Sequence, residues 1–505
     1  MRPFFYVTAG IAGAAVMMVE ILGARILAPF VGTSHFVWTA QIAVTLAALA
    51  CGYYAGGRLA DRGARPGVLY GALLAAGLWL ACSILLREWT IGGLILLPLA
   101  VGSLLASAVL FFVPLALMAI TGPFLVRILA SSLRGAGGTA GRLSSVSTVG
   151  SFLGTAAIGY LLIPLLPNSV TLLGTAALLV LVSAAWFMIW SRKAASMTWV
   201  VIIIVTGLAA GAGGLSADGL HARGLTELYR GSSSFGTLQA VQVTGQPLRY
   251  ALDDYLIQNT WDTDQRKSTS MFTYMLEGLA RVYTPRLDDV LCIGMGVGIV
   301  PRDLARAGAR VDVVEINPAM LPFAERWFDL DPGAFTLTIG DGRTFVNSTR
   351  KVYDAVILDT FIGDSVPSHL MSREAFTAIK GVLKPDGVLV INTFVDFNDR
   401  RDYFGTSLYK TLSAVFGSVR VHGSHTANTL FVASARTGLT FLRQPDLADV
   451  HNTALAEVRE AYDREWTPDL TAGIVLTDDY NPLEYFDAAK RERYRRMLAL
   501  SVGGT

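Results

Sequence analysis

The chain has 505 residues, 52% of them hydrophobic and 16% charged, against about 25% charged in an ordinary soluble protein. That excludes a disordered chain and argues against one that is dissolved in water throughout. The net charge of +2 hides an asymmetry: residues 1–216 hold eleven Arg or Lys against three acids, Glu20, Asp61 and Glu88, which leaves 30 bases and 36 acids for the rest. Two different solvents are implied.

The first region, residues 1–215, supplies repeated apolar runs close to the ~20 residues that a helix needs to cross hydrocarbon. The candidate spans are Phe5 to Pro29, Phe36 to Tyr54, Val68 to Leu86, Val146 to Leu166, Val170 to Trp190 and Met197 to Gly211. Between Ile91 and Leu129 the only charge is Arg127, and the stretch is long enough for two spans or for one long span plus an interfacial piece. The count is therefore seven or eight. Glu20 and Arg25 interrupt the first run, so it is not a cleavable signal peptide. As ionisable groups within a span they have two readings, an ion pair or snorkelling arrangement and a part in substrate passage. Trp38, Trp79, Trp89, Trp190 and Trp199 are read as interfacial anchors near span ends.

Orientation carries a conflict. Arg2, Arg58, Arg62 and Arg65 place the N-terminus and the loop after the second span in the cytoplasm, and Arg134, Arg142, Arg192 and Lys193 want the same side. Seven crossings would then put the C-terminal region outside, whereas eight put it inside and strand the last four charges.

Cys51, Cys82 and Cys292 build neither a disulfide framework nor a zinc spacing. From Leu220 the pattern changes. Residues 216–265 read as a linker followed by a small β-hairpin, Gly236 to Val243 and Leu248 to Asn259. Residues 266–505 open with a helical stretch from Ser268 to Tyr283 and then alternate. Strands are expected at Asp289 to Ile293, Arg310 to Glu315, Phe335 to Ile339, Tyr353 to Leu358 and Val388 to Thr393. Helices fall between them, at Val300 to Ala307, Met320 to Phe328 and Arg373 to Leu383. Short β-branched runs separated by helices predict an α/β, doubly wound parallel sheet covered on both faces.

Such sheets bind ligands beyond the carboxyl ends of their strands. The first strand is followed by Gly294-Met295-Gly296-Val297-Gly298, where the backbone can approach a ligand. The second ends at Glu315, suited to ribose hydroxyls; the third leads into Asp341, suited to an adenine amino group; the fourth leads into Asp359, aimed at the middle of the crevice. Each acid alone reads as a helix cap or turn residue, but four hits at consecutive strand ends point to an adenosyl nucleoside. Position 299 is Ile, so the third glycine of GxGxxG is missing, and a dinucleotide is disfavoured.

These residues resemble the spermidine synthase family of polyamine aminopropyltransferases, whose nucleoside-binding fold is shared with class I methyltransferases. The resemblance covers about residues 225 to 485, through VVEINP at 313–318, GDGR at 340–343, LDTF at 358–361, LKPDGVLVINTF at 383–394 and LTDDYNP at 476–482. The apolar region, with EILGARILAPFVGTS at 20–34 and GYYAGGRLADR at 52–62, is similar to the multi-span region fused to such domains in a membrane-integrated subfamily.

The resemblance implies a site. Gln258, Gly294, Gly296, Gly298, Glu315 and Asp341 would bind the donor, and Asp359 would take a proton from the attacking amine. An amine nitrogen would displace methylthioadenosine from decarboxylated S-adenosylmethionine, with no metal needed because the sulfonium is already a good leaving group. The departures concern the transferred group and its acceptor. Val297 stands where the family has an Asp that grips the donor's amine, Phe272-Thr273-Tyr274 stands where it has Tyr-His-Glu, and a second acid of the acceptor motif moves to Asp364. Tyr274, Asp364, Asp478 and Asp479 are the acceptor-pocket candidates.

Two further functions compete with aminopropyl transfer. One is a methyltransferase or other enzyme that uses S-adenosylmethionine itself on a lipophilic acceptor, with Arg302 as the nearest partner for the donor carboxylate. The other is a transporter or sensor whose nucleoside-binding domain does no chemistry. The expected partners are the lipid bilayer and a small amine or lipophilic acceptor, with a homo-oligomer left open and no role for nucleic acid. Sulfonium nucleosides are made in the cytoplasm, so eight spans in the inner (plasma) membrane and a cytoplasmic C-terminal domain are expected. His422 and His425 are read as surface residues, and Lys490 to Arg496 as a solvated basic helix face near anionic lipid.

Overall fold

The computed structural model describes the chain apart from residues 32–34, 95–96, 131–132, 192–197, 199–200, 203–204, 208, 214–223, 234, 255, 362–365, 396–401, 425–427, 484 and 486–505, and apart from the side chains of 29–31, 88, 91–92, 133–134 and 164. It divides into two compact units, with the boundary after residue 221.

Among the described residues the first unit holds six helices long and apolar enough to cross a membrane, by length and composition: Arg2–Ala28, His35–Asp61, Pro66–Arg87, Leu99–Leu129, Gly135–Leu162 and Asn168–Ser191. Leu99–Leu129 is one 31-residue rod, so the two-span option for this stretch, and with it the count of eight, is not adopted. The stretch contains no run of polar turn residues, and a turn inside an apolar layer would leave backbone groups without partners. The rod bends its hydrogen-bonding pattern instead, through a π segment at Ala108–Phe112 just ahead of Pro114. Pro114 has no N–H to give to the carbonyl four residues back, and Trp79 Nε1 donates to that Leu110 oxygen at 3.0 Å. Trp79 is thus an internal donor rather than an interfacial anchor. Helices Arg2–Ala28 and Gly135–Leu162 cross closely: a Cβ on Gly150 would fall 2.0 Å from the Gly10 oxygen. Within Met197 to Gly211 the described residues, 198, 201–202, 205–207 and 209–211, are helical.

The second unit contains two sheets. The expected hairpin is part of a five-stranded antiparallel sheet, β1 (Leu225–Ser233), β2 (Gly236–Val243), β3 (Leu248–Asp253), β4 (Leu256–Asp262) and β5 (Lys267–Ser268), in that order. β1 was missed because its polar residues break the alternation that marks a strand. The second sheet holds β6 (Asp289–Ile293), β7 (Arg310–Glu315), β8 (Thr336–Ile339), β9 (Tyr353–Leu358), β10 (Leu383–Phe394), β11 (Ser418–Gly423) and β12 (Asn428–Ser434). Its order is β11-β12-β10-β9-β6-β7-β8. Five strands are parallel, as expected, but β12 runs antiparallel to β10 and β11, so the sheet is mixed.

Period-two alternation distributes the core over both faces. Val290, Cys292, Ile357 and Val390 pack on one side, and Leu291, Ile293, Leu358 and Ile391 on the other. The strand order reverses between β6 and β9, and the crevice at that switch point is where such a sheet holds ligands.

Candidate active site

The glycine loop after β6 is held by backbone contacts that leave little choice of residue. Gly294, Gly296 and Gly298 have φ of 92°, 51° and 80°, a region that costs a side-chain-bearing residue energy. A Cβ on Gly294 would fall 2.1 Å from the Asp359 oxygen, and one on Gly298 2.5 Å from Leu330. The Gly298 turn opens directly into helix Ile299–Arg306.

Glu315, at the end of β7, is 7% exposed. Its Oε2 accepts from Met295 N–H at 3.0 Å and its Oε1 from Asn317 N–H at 2.8 Å. Burial raises its pKa, against the lowering effect of these N–H groups. The carboxylate therefore ties the tip of β7 to the glycine loop. Asp341, after β8, caps helix Gly342–Ser348: Oδ1 accepts from Thr344 N–H at 2.8 Å, and Oδ2 lies 2.9 Å from His369 Nε2. Burial raises its pKa, but the bonds from Thr344 and His369 prevail and lower it.

Asp359 is half-buried, and desolvation pushes its carboxyl up to about 6. Its Oδ1 accepts from Asn392 Nδ2 at 2.9 Å, and Asn392 Oδ1 in turn accepts from Asn428 Nδ2 at 2.9 Å. This relay runs from β9 across β10 to β12 and fixes the orientation of the acid. Asp359, Gly294, Gly296, Asn259 and Thr273 line one small cavity.

The remaining candidates fall elsewhere. Gln258 is half-buried in β4 at a bulge, where Ala251 pairs with Asn259 and Leu252 with Ile257. The residue beside it, Asn259, reaches the glycine loop, with Oδ1 accepting from Val297 N–H at 3.3 Å. Tyr274 donates its hydroxyl to the Ser268 oxygen at 2.6 Å, and burial raises it to about 12. Asp478 forms a bidentate pair with Arg343 at 2.6 Å, which lowers its pKa. Asp479 is exposed. Asp364 and His425 lie outside the described residues. Arg302 is 4% exposed, bonded to Asp303 and stacked over Trp261 at 4.6 Å. Glu20 and Arg25 are half-buried in the first helix. His422 corrects the surface reading: it is 2% exposed on β11, with Nε2 2.8 Å from Tyr283 Oη, and burial lowers it to about 4. The inward face of a strand holds it there.

Asn259, Asn392 and His369 were missed. Asn392 carried a signal, an amide in an otherwise apolar strand run, VLVINTF, at the same strand-tip level as the acids.

No cluster of metal-ligating side chains occurs among the described residues. Residues 270–421 match the model of the spermine/spermidine synthase domain. A polyamine aminopropyltransferase of Vibrio vulnificus is 36% identical over 138 residues, 26% of this chain and 46% of the relative. An N-terminal histidine N-methyltransferase of Emericella nidulans is 34% identical over 165 residues, 30% of this chain and 28% of the relative. The chain thus spans less than half the length of these two curated relatives. A spermidine synthase from Thermotoga maritima superimposes with a TM-score of 0.37 at 20% identity, covering 45% of this chain and 78% of that one. The glycine loop and the strand-tip acids Glu315, Asp341 and Asp359 all fall within residues 270–421, the stretch that is similar to the spermine/spermidine synthase domain.

Proposed function

We propose that the protein is a membrane-integrated transferase that moves an aminopropyl group from decarboxylated S-adenosylmethionine to an amine acceptor. The observation that carries this reading is Asp359, a half-buried carboxyl whose pKa is raised to about 6 by desolvation, oriented by Asn392 and lining the glycine-loop cavity. The neutral amine nitrogen attacks the methylene carbon bound to the sulfonium. The C–N bond forms, the C–S bond breaks with its electron pair going to sulfur, and methylthioadenosine leaves. The carboxylate of Asp359 holds the amine and accepts the proton that the new ammonium sheds, and a pKa near the working pH suits that transfer.

A second reading, methyl transfer from S-adenosylmethionine itself, is favoured by Val297. Its side chain is 3% exposed and its N–H is bonded to Asn259, so this position offers no carboxylate to a donor amine. Calorimetry of the full chain with S-adenosylmethionine, its decarboxylated form and methylthioadenosine separates the readings. Tighter binding of the decarboxylated donor supports aminopropyl transfer, tighter binding of the intact donor supports methyl transfer, and no binding of any of the three overturns both.

Membrane integration is part of the proposal, and the helices offer a resolution of the orientation conflict. Met197 to Gly211, fifteen residues, is about 22 Å long as a helix and short of the ~30 Å hydrocarbon layer. Six crossings return the chain to the side on which it began. That side collects Arg2, Arg58, Arg62, Arg65, Arg142 and Arg192, which satisfies the positive-inside rule and leaves the transferase domain in the cytoplasm with its donor. A reporter fused at the C-terminus tests this; an external signal would remove the donor and sink the proposal.

A further inference from the structure

The glycine loop has two flanks. At one, Gly294 lies against Asp359, where an added Cβ would fall 2.1 Å from the backbone oxygen; at the other, Gly296 lies against Asn259, where it would fall 2.9 Å from Oδ1. Asp359 and Asn259 both line the small cavity beside the loop. Asp359 serves the attacking amine, which leaves the Asn259 flank for another part of the substrates.

Asn259 is carried to the loop by β4, where it pairs with Ala251 beside the bulge, and it is 6% exposed. Its Oδ1 accepts from Val297 N–H at 3.3 Å, which fixes which branch of the amide meets the loop. The other branch, Nδ2, has no hydrogen-bond partner among the described residues, and it is not sealed off from an incoming group. A buried amide donor in that condition costs free energy that a bound acceptor offsets. Among the described residues that line the cavity, Asp359 is the only acid and no Lys, Arg or His is present, while the Thr273 hydroxyl already donates to the Ser270 oxygen at 2.9 Å. This flank therefore meets a ligand with an uncharged amide, which has an N–H branch for a carboxylate and a second oxygen lone pair for an ammonium.

We infer that Asn259 is the specificity-determining residue for the tail of the sulfonium nucleoside: the carbon under attack lies at the Asp359 flank, the rest of the tail runs along the loop to Asn259, and the amide there ranks intact and decarboxylated donors less sharply than a charged side chain would. The inference rests on the nucleoside-binding reading and not on which donor the wild type prefers. Calorimetry of the full chain compares wild type with Asn259→Asp, using S-adenosylmethionine, its decarboxylated form and methylthioadenosine, which lacks the tail. Asn259→Asp keeps an oxygen for Val297 N–H but sets a negative charge against the tail. The ratio of the two donor affinities should move by about tenfold or more in favour of the decarboxylated form, with methylthioadenosine binding held within about threefold. An unmoved ratio overturns the inference, and so does a loss shared equally by all three ligands, the mark of a residue that only holds the loop. If melting shows that Asn259→Asp does not fold, Asn259→Ser decides: it should weaken both donors a few-fold more than methylthioadenosine, and equal weakening overturns the inference. Wild-type protein that binds none of the three sinks the nucleoside reading itself, whereas binding with an unmoved ratio sinks the inference alone.

Discussion

The two units differ in where most of their buried polar groups find partners. In the helical unit, buried hydroxyls mostly turn back on their own helix: Thr45 donates to the Gln41 oxygen, Thr175 to Thr171 and Ser183 to Leu179, at 2.8–3.0 Å and always four residues back. In the sheet unit, buried polar groups reach across elements, as Glu315 does to the glycine loop and Asn392 to Asp359. A local bond satisfies a hydroxyl and commits it to nothing else, whereas a bond between distant strands holds a charge in a chosen place. Chemistry should therefore be concentrated in the second unit, and substitutions can break that contrast.

The largest effect is expected at Gly294. Gly294→Ala places a methyl 2.1 Å from the Asp359 oxygen at φ +92°, which should destabilise the domain by about 3 kcal/mol or more. Denaturant unfolding with wild-type stability would refute the loop geometry. Asp359→Asn comes next. Methylthioadenosine release should fall by about 10²–10⁴-fold, and a loss below about threefold would remove Asp359 from the reaction.

The same residue yields a pH prediction. Burial lifts the folded pKa from 3.8 to about 6, so the folded state binds the proton more tightly than the unfolded one. Stability from this group is full below pH ~4 and is lost as pH rises through 6, on the order of 2–3 kcal/mol. Asp359→Asn should therefore melt higher than the wild type at pH 8, with the gap closing towards pH 4. The catalytic rate, conversely, should fall as pH drops through about 6. Asn392→Ala should move that limb to higher pH, because its hydrogen bond is what lowers the acid.

Glu315→Gln replaces one accepting oxygen with an amide that faces a backbone N–H, and should cost about 1–3 kcal/mol and weaken donor binding in calorimetry. The smallest effect belongs to the other unit. Thr175→Val leaves the helix bond of Thr171 in place and should change the melting free energy by less than about 0.5 kcal/mol. A larger loss would mean that the hydroxyls of that unit do more than satisfy themselves.

The alternating strands and helices, the glycine loop and three acids at strand tips were legible in the chain because each is a local pattern. β-branched runs form strands, and a parallel strand delivers the residue after it to the ligand end of the sheet. The mixed direction of the sheet was not legible, since the pattern of β12 is the same whichever way it pairs. Asn259 was missed in favour of its neighbour because a bulge in β4 changes which side chain meets the loop, and an extra residue in a strand has no mark in composition.

The sequence by itself determined that an apolar, basic region precedes an α/β domain whose strand tips carry acids and glycines, since periodicity and charge act over a few residues. Only the tertiary structure decided that Asn392, 33 residues from Asp359, aims its carboxyl, and that Leu99–Leu129 stays one helix. Those outcomes depend on how distant segments pack, and packing between segments is written in no single stretch of chain.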